Sequence, residues 1–274
     1  MNVPFYHLGT ITNDWISPWL SKIYGTVFPF WIGFAFTIIG VCSAILLTTR
    51  TKSEAVVTSG EQTVYGLSLG SSIKSLSSSF WIAGIVCATG YAAILPFISV
   101  FIAVRPKELT QESAGQLISV VFLVSAILAP IVGRVIDRFG RAAWVLCISC
   151  FLICLSHSMF MTIDHILVVM TLGVAFAGFV ASVWPMVPLT VDKTHVGLGY
   201  GLLTSLQNAA LVLLPLVTAW IKEESGSYSN SRWAFLSSAI LALLGSAWLA
   251  VETDLLAESH AEKIEEEAVP LTTG

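Results

Sequence analysis

The nonapeptide Gly133-Arg134-Val135-Ile136-Asp137-Arg138-Phe139-Gly140-Arg141 sets four charges and two glycines at the seam of two long apolar runs, residues 115–136 and 143–161. Its chemistry suits a tight turn between two membrane-crossing helices. Gly140 can take the positive φ that ends a helix, and Gly133 would let neighbouring helices approach closely. Asp137 falls at a helix end among Arg134, Arg138 and Arg141, so charge-assisted hydrogen bonds to a facing helix bundle are available. A cluster of this kind can hold two bundles together in one state and release them in another, which makes it a candidate gate latch.

Outward from this turn the sequence is apolar throughout. Of 274 residues, 55% are hydrophobic and 11% charged, and the mean hydropathy is +0.83. A soluble domain carries about 25% charged residues, so a water-soluble fold is excluded, as is disorder beyond short stretches. The net charge of −4 lacks the basic stripe that nucleic-acid binding needs. The hydrocarbon core is about 30 Å thick and takes roughly 20 apolar residues per helix. Seven runs qualify, at residues 26–49, 80–104, 115–136, 143–161, 166–190, 196–221 and 233–251. An all-α membrane protein follows, because a lone strand cannot satisfy its backbone in lipid.

The domain organisation expected is a lumenal or interfacial segment at 1–25, carrying Tyr6, Trp15, Trp19 and Tyr24, then a lone span at 26–49. A Ser/Gly/Thr-rich cytosolic linker at 50–79 reads as a flexible or surface-lying connector. A six-helix bundle at 80–252 and an acidic, solvated cytosolic tail at 253–274 complete the chain. The first 25 residues lack the pattern of a cleaved signal peptide. With the amino end outside, eight Lys and Arg fall on the cytosolic side and five on the other, which agrees with the positive-inside rule.

The pattern Gly-x-x-x-Asp-Arg-x-Gly-Arg resembles the loop signature of the major facilitator superfamily. Three further stretches sharpen the likeness: Ser182-Val183-Trp184-Pro185-Met186-Val187-Pro188; Gly197-Leu198-Gly199-Tyr200-Gly201 with Ser205-Leu206-Gln207-Asn208; and Ser79-Phe80-Trp81 running through Tyr91 to Pro96-Phe97. Together they resemble the carboxyl half of the lysosomal dipeptide transporters of that superfamily. The resemblance implies that the seven spans are helices six to twelve of a twelve-helix carrier, with most of the amino-terminal half absent. It implies alternating access, a small-peptide substrate, the 133–141 loop as cytosolic latch, no catalytic chemistry and no cofactor. It also implies a glycosylated lysosomal membrane protein as accessory subunit; this chain has no Asn-x-Ser/Thr acceptor, so glycan protection would come from that partner. A facilitator for a sugar or monocarboxylate, and a transport-inactive half-carrier serving as an interaction module, are the alternatives.

Seven spans with Asp137-Arg138-Phe139 at the inner end of the third also suggest a G-protein-coupled receptor. Span three has no outer cysteine, span seven lacks Asn-Pro-x-x-Tyr, and the bracketing Gly133, Gly140 and Arg141 are foreign to that pattern. A retinal protein would need a lysine in span seven, and there is none.

Intramembrane polar groups are expensive and mark function. The run of six contains almost no ionisable group at depth; His157 is the exception, near the outer end of its span. That favours facilitated diffusion or a coupling site elsewhere. Tyr91, Trp184, Gln207 and Asn208 are the candidate substrate-binding residues: two amides to meet a peptide backbone or carboxylate, and two aromatic faces with polar tips. Interhelical bonding or packing is the alternative for all four. Pro96, Pro185 and Pro188 should kink their spans, and Gly197, Gly199 and Gly201 would permit close helix approach. Cys150, Cys154 and His157 share one helical face and are zinc-ligand types, though buried thiols and a hydrogen-bonded histidine suit them better. Cys42, Cys87 and Cys147 also lie inside spans and offer no disulfide framework.

Overall fold

The computed structural model describes residues 3–58, 69–104, 111–160 and 165–268. Among them the chain is helical, with no strand. The helices are α1 (Val3–Tyr24), α2 (Phe28–Thr58), α3 (Leu69–Lys74), α4 (Ser78–Val104), α5 (Gln111–Phe139), α6 (Ala142–Met159), α7 (His165–Val183), α8 (Val187–Thr190), α9 (Val196–Ser225) and α10 (Arg232–Ala268). Seven of these regions are long and apolar enough to cross a bilayer, from Phe28–Thr49 in α2 to Tyr228–Leu255 around α10. The protein is an integral, multi-pass membrane protein.

The chain forms two compact units, Thr12–Ser75 and Leu76–Gly274 with Met1–Ile11. In the first, Gly25 (φ +88°) turns α1 into α2, and Tyr24 meets Phe28 with ring centroids 4.7 Å apart. The span of α2 exposes Phe30, Trp31, Phe36 and Leu47. The second unit is the six-helix bundle. Its closest pairings are α5 with α7, α6 with α7, α10 with α4, α10 with α6, and α4 with α9. Exchanging α4 with α7, α5 with α9 and α6 with α10 leaves this set unchanged. α4 and α7 run in opposite directions, so the bundle is two inverted three-helix repeats. Pro130 and Pro215 stand at matching places, each 19 residues past the first residue of α5 and α9.

Lipid tails are as apolar as leucine, so burial alone cannot drive this packing; close backbone approach does. Glycines make that approach on α4 and α7. A Cβ on Gly90 would run into the Phe179 ring and one on Gly178 into Ser149, while on Gly173 it would lie 2.9 Å from Val124 Cβ. α4 and α7 are accordingly the most enclosed spans, whereas α9 buries only Gly199, Leu203 and Thr218. Of the glycines expected to admit close helix approach, Gly199 does so: a Cβ there would lie 3.0 Å from Val187 Cγ1. Gly133, Gly197 and Gly201 would meet nothing within 4 Å, so their expected packing role is not realised in this bundle.

Three boundaries differ from expectation. The fifth run ends as a helix at Val183 rather than continuing to residue 190, because Trp184-Pro185-Met186 forms a turn before α8. Proline lacks the N–H and crowds the preceding turn, so two prolines three residues apart break the helix. The 50–79 linker is partly helical: α2 continues to Thr58 and α3 covers Leu69–Lys74, while 59–68 lies outside the described residues. The acidic tail extends α10 as helix to Ala268, since Glu, Ala and Lys are good helix formers.

Candidate functional site

The break after α7 places Trp184 against α4. Its indole Nε1–H donates to the Tyr91 hydroxyl at 2.9 Å, across 93 residues of sequence. Tyr91 is 6% exposed, and the edges of Phe179 and Phe176 meet it with centroids 5.3 and 6.1 Å away. On its other side Trp184 stacks on Tyr200 of α9, 6.3 Å between centroids and 26° between planes. Three aromatic groups from α4, the α7 break and α9 therefore form a continuous file, buried at Tyr91 and open at Tyr200.

The break supplies its own backbone bonds. Val187 N–H donates to the Trp184 carbonyl and Leu189 N–H to that of Met186, both at 3.2 Å. Thr190 Oγ1 also donates to the Met186 carbonyl at 3.0 Å. The segment is fastened to α4 where Ser77 Oγ donates to the Thr190 carbonyl at 2.7 Å, while accepting from Phe80 N–H as the α4 cap. This end of the bundle also carries the 133–141 turn and the contact between Trp144 Nε1 and Asp254 Oδ2 at 2.8 Å.

Gln207 and Asn208 lie two turns further along α9 than Tyr200. Gln207 is half-buried and Asn208 exposed, and neither amide side chain bonds to another described residue. Gln207 shares the flank of α9 that carries Tyr200, because a spacing of seven returns to one helical face. The structure thus brings Tyr91 and Trp184 together and leaves Gln207 and Asn208 on the adjoining face of α9. Tyr200 joins this file without being among the candidates read from the sequence. It lies in the Gly-x-Gly-Tyr-Gly stretch, whose glycines are the more conspicuous signal and point to packing.

At the proposed latch, α5 ends at Phe139, and Gly140 takes φ +69° with its N–H donating to the Ile136 carbonyl at 2.7 Å. Arg134, Asp137, Arg138 and Arg141 are all exposed. No ion pair joins them among the described residues, and the Arg138 guanidinium lies 5.7 Å from the Phe139 ring centroid. The charges are therefore presented outward and available to another surface.

His157 is buried, and its Nε2 faces the Ala93 carbonyl at 3.0 Å. Cys150, two turns earlier in α6, is buried and Cys154 half-buried. Among the described residues no three His, Cys, Asp or Glu side chains are grouped to hold a metal ion.

Residues 80–273 match the Major Facilitator Superfamily. With the paired three-helix repeats, this makes the chain a member of that family of membrane transporters. Among its relatives, the lysosomal dipeptide transporter MFSD1 of Gallus gallus is 30% identical over 159 residues, covering 56% of this chain and 36% of that protein. The MFSD1 proteins of Danio rerio and Homo sapiens are 26% and 28% identical, covering 77% and 63% of this chain and 45% and 38% of their own lengths. The chain spans less than half the length of these relatives.

Proposed function

We propose that this chain forms one half of a carrier that moves small peptides, dipeptides foremost, out of the lysosome by alternating access, without catalytic chemistry. The observation carrying this reading is the aromatic file Tyr91–Trp184–Tyr200 beside the unbonded amides of Gln207 and Asn208. It lies in a family whose solute sites form between two such bundles, and the relatives named above are dipeptide transporters. Flat aromatic faces accept varied side chains, while amides pair with peptide N–H and C=O groups, which every dipeptide offers regardless of sequence. The exposed charges of the 133–141 turn would latch against the facing half on the cytosolic side. A glycosylated membrane protein would act as accessory subunit.

The test is uptake of a labelled dipeptide, a hexose and a monocarboxylate into vesicles bearing the protein, with Gln207→Leu alongside. Dipeptide uptake that falls in Gln207→Leu at unchanged abundance supports the proposal. Uptake of the hexose or monocarboxylate alone overturns the substrate, and unchanged uptake in Gln207→Leu removes that residue from the site. The largely unburied α9 favours a second reading, a transport-inactive half that binds another carrier. Co-purification with such a carrier and no uptake of any solute would establish that instead.

A further inference from the structure

We infer that His157 is a positioning residue for this site: by donating Nε2–H to the Ala93 carbonyl it pins α4 at the turn preceding Pro96, and so holds Tyr91 beneath Trp184. The inference rests on the functional reading above for its consequence in transport, and on geometry alone for the pin.

Pro96 has no N–H to offer the Ala92 carbonyl and its ring crowds that turn, so the carbonyls of the turn open toward outside donors. In a bilayer such a group must find a partner from a neighbouring helix. His157 of α6 donates to the adjacent carbonyl of the same turn, that of Ala93, at 3.0 Å. A carbonyl only accepts, so Nε2 carries the proton in this contact. The imidazole cannot swing away. It stacks on Phe235 of α10 at 5.9 Å and 18°, and meets Phe97 edge-on at 4.7 Å. One turn earlier on the same face of α4, the Thr89 carbonyl accepts from Ser238 Oγ of α10 at 2.9 Å. Two lateral bonds from α6 and α10 therefore bracket Gly90 and Tyr91, and the opposite side of that turn is filled by Phe179. A histidine is a costly way to fill this space, and a leucine would pack there without a polar group. The carbonyl it serves explains its presence.

The experiment uses the full chain in proteoliposomes and reads two things. Amide hydrogen exchange of the α4 peptide at 89–100 reports the pin without any substrate, and dipeptide uptake reports its consequence. His157→Leu is expected to speed exchange in that peptide by about tenfold, with His157→Gln, which keeps a donor, within about twofold of the parent. Ser238→Ala gives a smaller acceleration in the same peptide, and carries this arm should His157→Leu not fold. Pro96→Ala restores the N–H to the Ala92 carbonyl and regularises the turn that carries Ala93, so adding His157→Leu to it should have a smaller effect than in the parent, a non-additivity that a general packing role would not produce. In uptake, His157→Leu is expected to raise KM roughly fivefold with Vmax within about twofold. Parent-like exchange in His157→Leu, equal acceleration in His157→Gln and His157→Leu, or an undiminished His157→Leu effect in the Pro96→Ala background would each overturn the pin. If the parent moves no dipeptide, the functional reading falls while the exchange comparison still decides the role of His157.

Discussion

Replacing Gly90 by alanine tests whether close approach of α4 and α7 holds the site together. The added methyl would run into the ring of Phe179, which is fully buried and meets the Tyr91 ring at 5.3 Å. A rigid, enclosed ring cannot yield as a flexible chain end would, so α4 and α7 must separate. Overpacking of this kind costs about 1–3 kcal/mol. Against it stands the helix preference of Ala over Gly, about 0.8–1 kcal/mol, which obscures the sign for one variant alone. Gly201→Ala removes the ambiguity: Gly201 is also mid-helix, but a Cβ there meets nothing within 4 Å. The propensity gain is common to both, so their difference is the overpacking term. Roughly 1–3 kcal/mol corresponds to a gap of about 3–10 °C in Tm for a chain of this size. Cys87 and Cys150 are fully buried, so a thiol-reactive fluorogenic dye in a detergent melt reads their release. The expected order is Gly201→Ala above the parent and Gly90→Ala below Gly201→Ala by that gap. Equal melting of the two variants would refute the claim that Gly90 is required by its neighbour.

Gly140→Ala is expected to lose about 1–2 kcal/mol in the same melt, purely from the left-handed backbone at φ +69°, since its surroundings are open; Gly140→Asn should lose less, and equal losses would contradict a conformational cause. Asp137→Ala should unlatch the loop side of the membrane and reduce thiol labelling of Gln116→Cys, an exposed position at the opposite end of α5, with unchanged labelling counting against a latch.

Much of the architecture could be read from hydropathy because each span is a long run without Asp, Glu, Lys or Arg in its interior, and lipid leaves helix as the only solution. The same property carries the fifth apolar run past the end of its helix at Val183. Trp184-Pro185-Met186-Val187-Pro188 is as apolar as the helix before it, and apolarity carries no information about a missing N–H. The glycines show a second limit. Gly90 and Gly178 touch neighbouring side chains while Gly133 and Gly201 face open space, and only the partner helix distinguishes them. Trp184 and Tyr91 were each recognisable as aromatic groups with a polar tip. That one donates to the other depends on a helix break and a helix pairing, both tertiary facts. His157 was visible as a lone titratable group, but its acceptor is a backbone carbonyl, which no side-chain pattern announces.

The neutral interior of the six-helix bundle bears on the electrical behaviour of the proposed carrier. Moving one elementary charge through the bilayer potential is worth about 2.3 kcal/mol per 100 mV. His157 aside, the spans hold no fixed charge between their end loops, so tilting this half from one orientation to the other displaces almost no gating charge. In the carrier proposed above, voltage would then act on turnover through ionised cargo or through groups on the opposing wall, while the rocking of these helices would be electrically silent.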